Sequence, residues 1–492
     1  MRLIKFPALI IVIGLLLSLS ACSKTDKVII YATARSGGWL WARPDPDAEK
    51  GEIGGYAVFK NVYNLEQKPK LAVDLGNWFN ETPEGYLTKG QAAIDCMNAI
   101  PYAVSSLGIA DLALAPKDLQ KLVKTAAFPV IASNLYLKTG KKPEFIKSLQ
   151  LLLLGKTKIG FLSVTVMDPD RPNTPKYLAN YKFEKESYEL QRSLKALKDA
   201  GADITALLLN INPKKPAGKG FYTAFFARLP RLDLIITDDP ALKKPSRINK
   251  AWLVPVPSKM ASAARIELSI DPAGGRLLKA GYKLLPLEKE KYGQDPETLK
   301  IVSRHREKIL KHFSKRLGTA ADDLNRSDKS PDSPLGGFTA DCVRRWARTN
   351  GAIINNAILA GDIAKGAVTV GDLYRVLPYD TSVVFVKIRG EDLRRAIEET
   401  VSKDISVSGL QVRMKGQSVD SLLIEGTPLA ANRIYRVAVP DSIVNDKDYT
   451  LLSSATEFAN SHRFLREVIG WCFSRRRTAL KPAGGRIIRE QQ

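Results

Sequence analysis

Apolar and polar positions along this 492-residue chain fall into short runs that switch between strand-like and helix-like spacing from Lys27 onward. Such alternation predicts a layered α/β body. Strands are predicted at 28–31, 71–74, 103–106 and 129–132, with helices near 55–61 and leading into Met97-Asn98-Ala99-Ile100. Residues 151–154 and 158–162 predict a hairpin-like pair, and the Pro-, Asp- and Asn-rich stretch 168–182 predicts an exposed loop. A charged helix over about 183–200 and strands at 204–209, 232–236 and 251–254 follow. A long amphipathic pattern over 296–320, with Leu299, Val302, Ile309 and Phe313 among many charges, predicts a joining helix. Residues 320–332 predict a loop. Further on, Leu393, Ile397 and Val401 recur at helical spacing, as do Phe464, Val468 and Trp471, and both sets predict core-facing stripes. No repeat or low-complexity segment interrupts the pattern.

The length implies two or three units, each able to bury a core. Lys and Arg total 75 against 51 Asp and Glu, a formal net charge of +24. That surplus implies anionic surroundings or ligands, or else a diffuse solubilising surface. The basic residues are dispersed without a recognised reading element, so nucleic acid is not expected as a partner. The N-terminus carries Arg2 and Lys5, then an apolar run over 8–19, a length that suits a signal-peptide core and is short for a membrane span. Leu19-Ser20-Ala21-Cys22-Ser23 resembles the bacterial lipoprotein box. That resemblance implies a lipid on the Cys22 thiol, a soluble body anchored to the cell envelope, and, from Ser23, the outer membrane facing the periplasm. A plain signal peptide is the other reading. Of the remaining cysteines, Cys342 and Cys472 fall on predicted helices and can pair in an oxidising envelope, although their neighbours favour buried free thiols.

The C-terminal half carries the most specific motifs. Ser333-Pro334-Leu335-Gly336-Gly337-Phe338-Thr339-Ala340-Asp341 is followed by a basic helix, Ala352-Ile353-Ile354-Asn355-Asn356, and Val370-Gly371-Asp372 leading to Leu377-Pro378-Tyr379 and the strand at 383–388. Order and spacing resemble the C-terminal domain of the 5'-nucleotidase family over most of 330–450. Met97-Asn98-Ala99-Ile100-Pro101-Tyr102, Gly54-Gly55-Tyr56-Ala57 and Phe128-Pro129-Val130-Ile131-Ala132-Ser133-Asn134 resemble that family's metallophosphoesterase domain. The resemblance implies an α/β and α+β fold. It comprises an N-terminal sandwich of two mixed sheets flanked by helices over 27–294, a linker helix and loop over 295–329, and an α/β C-terminal domain over 330–474, after a signal peptide over 1–22 and before a basic tail over 475–492. It also implies two base-stacking rings, Tyr379 and Tyr449, and an amide at Asn355 that can face a base or ribose. The family's arginine in that segment is replaced by Ala360.

Metal-assisted phosphoester hydrolysis needs two close cations held by imidazole and carboxylate groups. At the positions where the family places them, this chain has Ala34 and Ser36, Asn77, Ile109 and Ala110, Ile211, and Asp238-Asp239. Its three histidines, His305, His312 and His462, all lie at residue 305 or later, which excludes a histidine-ligated centre in the N-terminal domain. No metal site or cofactor is therefore expected. Asp74, Asp111, Asp238 and Asp239 with Asn77 can hold a hard cation only through oxygen ligands.

Three readings follow. The first is a non-catalytic envelope lipoprotein of the 5'-nucleotidase family that binds a nucleoside or nucleotide. The second is an active phosphohydrolase with an oxygen-only metal site. The third is an envelope scaffold that binds anionic partners.

Overall fold

The computed structural model describes residues 25–45, 51–166, 178, 180–211, 222, 226, 232–326, 333–401, 403–416, 418–444, 455–476, 478–482 and 484–490. Among these, two six-stranded sheets form the N-terminal body. The chain enters through β1 (Asp26–Thr33), passes helix α1 (Tyr56–Leu65) to β2 (Lys70–Asp74), and reaches β3 (Tyr102–Ser106) after helices α2 (Pro83–Thr88) and α3 (Gln91–Asn98). β4 (Val130–Ile131) completes a parallel run β1-β2-β3-β4. A second sheet then begins with β5 (Leu149–Leu154) and β6 (Thr157–Val166), continues after α4 (Glu186–Asp199) into β7 (Ile204–Ile211) and β8 (Leu234–Thr237), and ends at β9 (Ser246–Ile248) and β10 (Ala251–Pro255). β11 (Ser262–Ile270) and β12 (Leu277–Pro286) return to the first sheet, β11 antiparallel to β1.

β7 is buried at every position, as expected of a central parallel strand covered on both faces. Val28, Ile30, Val73 and Val104 from one sheet meet Phe161, Ala206, Leu208 and Ile236 from the other in the core between them. Because side chains alternate along a strand, Ile29, Tyr31 and Ala72 face the opposite side and pack under α1 and α3. The hairpin β11–β12 was not evident in the sequence. Its exposed face carries Lys279 and Lys283, and its apolar positions are too scattered to give a clean period of two.

The joining helix α5 (Pro296–Phe313) starts at Asp295, whose carboxylate accepts the N–H of Thr298 at 2.8 Å, an N-cap with Pro at the first turn. It ends at Phe313, earlier than the amphipathic pattern suggested, because Arg316–Ala320 leaves it to form β13 in a three-stranded sheet with 366–369 and 478–479. Helix α6 (Pro334–Ala347) is capped by Ser333, which accepts the N–H of Gly336 at 2.9 Å. β14 (Gly351–Asn355), α7 (Val370–Val376), β15 (Ser382–Arg389) and α8 (Gly390–Val401) follow. β14 and β15 lie in a five-stranded sheet with 405–408, 434–440 and 455–464.

Two expectations are corrected here. Cys342 on α6 and Cys472 on α9 (Leu465–Arg476) are not free thiols but form a disulfide, with Cα atoms 5.7 Å apart. Both helices bury their apolar faces in one core, and this packing brings the two sulfurs together. The buried face of α9 is Leu465, Val468, Ile469, Cys472 and Phe473, whereas Trp471 is 36% exposed and Phe464 still belongs to the preceding strand. The basic stretch after 475 is also built into the domain. Thr478–Ala479 pairs with β13, and Ile487–Glu490 pairs with Leu410–Lys415. Arg486 pins this strap by a two-pronged ion pair to Asp341 at 2.9 Å on each side.

The disulfide spans 130 residues. A loop of that size restricts the unfolded chain enough to contribute about 4–5 kcal/mol. Reduction under native conditions should therefore lower the C-terminal domain's unfolding midpoint by roughly 10 °C, as measured by calorimetry with and without reductant. An unchanged midpoint would show that the bridge adds nothing to stability.

Candidate functional site

The strand ends of both sheets meet at one rim of the sandwich, where Ala34, Ser36, Asn77, Ile109, Ala110, Ile211, Asp238 and Asp239 lie. After Thr33 the chain bulges through Arg35, at φ 49°, and Gly37 and Gly38, at φ 58° and 94°. Gly38 has no room for a side chain, because a Cβ there would lie 2.3 Å from Gly85. Ala34 is fully buried, and Ser36 donates to the carbonyl of Trp78 at 3.2 Å.

Asp74 ends β2 and is 1% exposed. Its oxygens accept Thr33 Oγ1 at 2.7 Å, the Gly76 N–H at 2.7 Å, Ser105 Oγ at 2.9 Å and Trp78 Nε1 at 3.0 Å. Tyr102 donates in turn to Thr33 at 2.9 Å. Burial pushes the Asp74 carboxyl up to about 6, and the four donors pull it back.

Asp111 is fully buried and accepts the N–H groups of Asn77 at 2.7 Å, Gly108 at 2.9 Å and Trp78 at 2.9 Å. Burial holds it at about 7 despite these donors. Asn77, in left-handed backbone at φ 60°, turns its Oδ1 to the N–H of Ala110 at 2.9 Å. Its side chain occupies the space a Cβ on Gly108 would need. Ile109 and Ile211 are buried and contribute apolar side chains to the rim.

Asp238 accepts the Ile211 N–H at 3.0 Å through Oδ1, while its buried Oδ2 has no hydrogen-bond partner. Arg35 Nη1 stands 3.7 Å from that oxygen, and Arg35 Nη2 is 2.8 Å from Glu81. Burial raises Asp238 to about 6, and Arg35 lowers it. Asp239 points elsewhere, accepting Tyr222 OH at 2.9 Å and the Ala241 N–H at 2.9 Å. The two sheets are also joined across the rim by Asn210 Nδ2 donating to Ser106 Oγ at 2.9 Å.

The donor chemistry of this rim does not fit a pair of divalent ions. Among the described residues no group of three or more His, Cys, Asp or Glu side chains converges as metal ligands. Asp74 already accepts four N–H and O–H donors and Asp111 three main-chain N–H groups, and a guanidinium stands beside Asp238. Arg35 was not expected from the sequence, although a cation between Ala34 and Ser36 at the end of a buried strand was a legible signal.

In the C-terminal domain, Asn355 is 7% exposed, and its Oδ1 accepts Ser442 Oγ at 3.2 Å. Asn356 is fixed structurally, donating to Asp404 at 2.7 Å and accepting Ser406 Oγ at 3.0 Å. Tyr379 presents its ring to solvent at 58% exposure. Tyr449 and Cys22 lie outside the described residues. The turn bearing Tyr379 meets the N-terminal domain at Arg466, whose guanidinium lies 4.0 Å from the Tyr374 ring and 5.7 Å from the ring of Tyr86 on α2. A separate cavity of about 140 Å³, lined by Phe338, Asp341, Arg345, Cys472, Pro482 and Arg486, touches neither of these places.

Residues 316–453 match the family model "5'-nucleotidase, C-terminal domain". The chain is 20% identical over 474 residues to Protein UshA of Yersinia enterocolitica, covering 84% of each. It is 20% identical to Endonuclease YhcR of Bacillus subtilis over 80% of its own length, and spans about a third of that larger protein (34%). The crystal structure of a 5'-nucleotidase precursor from Thermus thermophilus superposes with a TM-score of 0.65 at 21% identity, covering 95% of this chain and 100% of that one.

Asp111 offers a pH signature for the rim. Its folded pKa lies above its unfolded value of 3.8, so the native state binds more protons between about pH 4 and 7. Stability should fall as pH rises through that window, by on the order of 4 kcal/mol from this group, and flatten above it. Asp111→Asn should reduce the slope, most clearly above pH 6 where Asp74 and Asp238 contribute less, while costing about 1–3 kcal/mol in lost acceptors. Urea titrations at pH 4.5, 6 and 8 read both effects, and a wild-type curve without slope would contradict the assignment.

Proposed function

We infer that this chain, a member of the 5'-nucleotidase family of metal-dependent phosphoesterases, keeps the family's two-domain body but not its hydrolytic chemistry. It serves as a binding protein for a nucleoside or nucleotide. One observation carries this reading: the carboxylates at the strand ends, Asp74 and Asp111, are each held by three or more protein donors spread over both oxygens, so a cation would have to compete with those hydrogen bonds for either group. The exposed Tyr379 ring supports the binding half of the reading, since a face-on aromatic stacks with any base for about 1–3 kcal/mol.

The address belongs to the same proposal. Lipid on Cys22 would tether the body to the bacterial envelope, and the Cys342–Cys472 disulfide suits an oxidising compartment such as the periplasm. The +24 charge suits anionic lipid or another anionic envelope component nearby. A hydrolase with an oxygen-only site is the second reading, favoured by one observation, the buried Oδ2 of Asp238, which accepts no hydrogen bond and faces the Arg35 guanidinium at 3.7 Å.

Metal content separates the two. After incubation with Mn, Zn and Mg and removal of the excess, the soluble protein should retain no stoichiometric metal and should release no phosphate from AMP. About two ions per chain with phosphate release would overturn the non-catalytic reading. Adenosine and AMP are the probes for binding. A ligand at 100 times its Kd should stabilise the wild type by about 2.7 kcal/mol in thermal unfolding, and Tyr379→Ala should remove most of that gain.

A further inference from the structure

Arg466 lies in the first turn of α9 and is 8% exposed, an unusual place for a long cationic side chain. A buried guanidinium is tolerated only when its donors are met. Here they are met by one short turn. Nη1 donates to the carbonyl of Leu377 and to that of Tyr379 at 3.1 Å, and Nη2 forms an ion pair with Asp380. The flat face of the cation lies over Tyr374, 4.0 Å from the ring centre. From the N-terminal domain, Tyr86 approaches the same guanidinium at 5.7 Å and is itself 9% exposed.

One side chain therefore clamps the main chain on both sides of Pro378 and joins that turn to the other domain. Tyr379, at the clamped position, leaves its ring in solvent. A stacking surface works best when it is already ordered, because a loose ring must be immobilised on binding. The fork geometry is also specific, since a lysine ammonium is a point charge that cannot bridge two carbonyls and a carboxylate while stacking on a ring.

We infer that Arg466 is a positioning residue. It holds the Leu377–Asp380 turn so that Tyr379 stands ready to stack, and it docks that turn on Tyr86, which makes the seam between the domains part of the ligand seat. This inference rests on the nucleoside-binding reading for its function, and on the contacts alone for its structural half.

The test uses the full-length protein, with Arg466→Lys, Tyr86→Leu and Tyr379→Ala as variants. Circular dichroism and unfolding midpoints confirm that each is folded, and hydrogen exchange and adenosine titration are the readouts. Arg466→Lys should lose exchange protection at 377–381 and, across the seam, at 83–88, and should raise the adenosine Kd about tenfold. Tyr86→Leu does not touch the C-terminal core, so it remains informative if Arg466→Lys unfolds. It should loosen the same turn and raise Kd about threefold. Exchange that changes only within α9, or adenosine binding that Tyr379→Ala abolishes and Arg466→Lys leaves unchanged, overturns the assignment of Arg466. Absence of adenosine binding by the wild type overturns the nucleoside reading itself. Release of both segments in Arg466→Lys would then still support the docking role.

Discussion

Carboxylates buried at the ends of parallel strands must be compensated, and this requirement shapes the rim of the N-terminal domain. An isolated buried charge costs several kcal/mol, so Asp74, Asp111 and Asp238 persist only with partners. Two solutions are available, metal ions or the protein's own donors. Here the protein's own donors surround all three. Main-chain N–H groups of the loop after β2, the hydroxyls of Thr33 and Ser105, and the indole of Trp78 surround Asp74 and Asp111. The Arg35 guanidinium stands beside Asp238.

Once those donors are in place, the rest of the rim follows. The loop after β2 must turn through left-handed backbone at Gly76 and Asn77 to aim its N–H groups inward. Gly108 must lack a side chain so that Asn77 can close over it. The Asn210–Ser106 hydrogen bond then ties the second sheet to the first across the rim. Hydrogen bonds thus close the rim between the two sheets around its buried carboxylates.

The C-terminal domain depends on a different constraint, closure by a covalent bridge and a cationic strap. The disulfide between α6 and α9 fixes the helix that carries Arg466, and Arg466 fixes the Tyr379 turn against the other domain. Arg486 does the equivalent for the last described strand through Asp341 and the carbonyl of Val407. Part of the large positive charge is thus structural, since these arginines act within the fold and leave a smaller share for partners.

The sequence by itself determined the layered α/β plan, the joining helix, the C-terminal motif order and the absence of imidazole from the N-terminal body. Each is written in local periodicity or in residue identity. Strand β7 could be read because a doubly covered strand is apolar throughout, and the absence of histidine before His305 needed no coordinates. The strap after 475 could not be read, because two short strands of mixed polarity acquire meaning only from the edges they meet. Pairing of Cys342 with Cys472 depended on two helices, separated by 130 residues, sharing a core. The roles of Arg35 and Arg466 were decided only by tertiary structure, because a charged side chain takes its function from the carboxylates, carbonyls and rings that distant segments place around it.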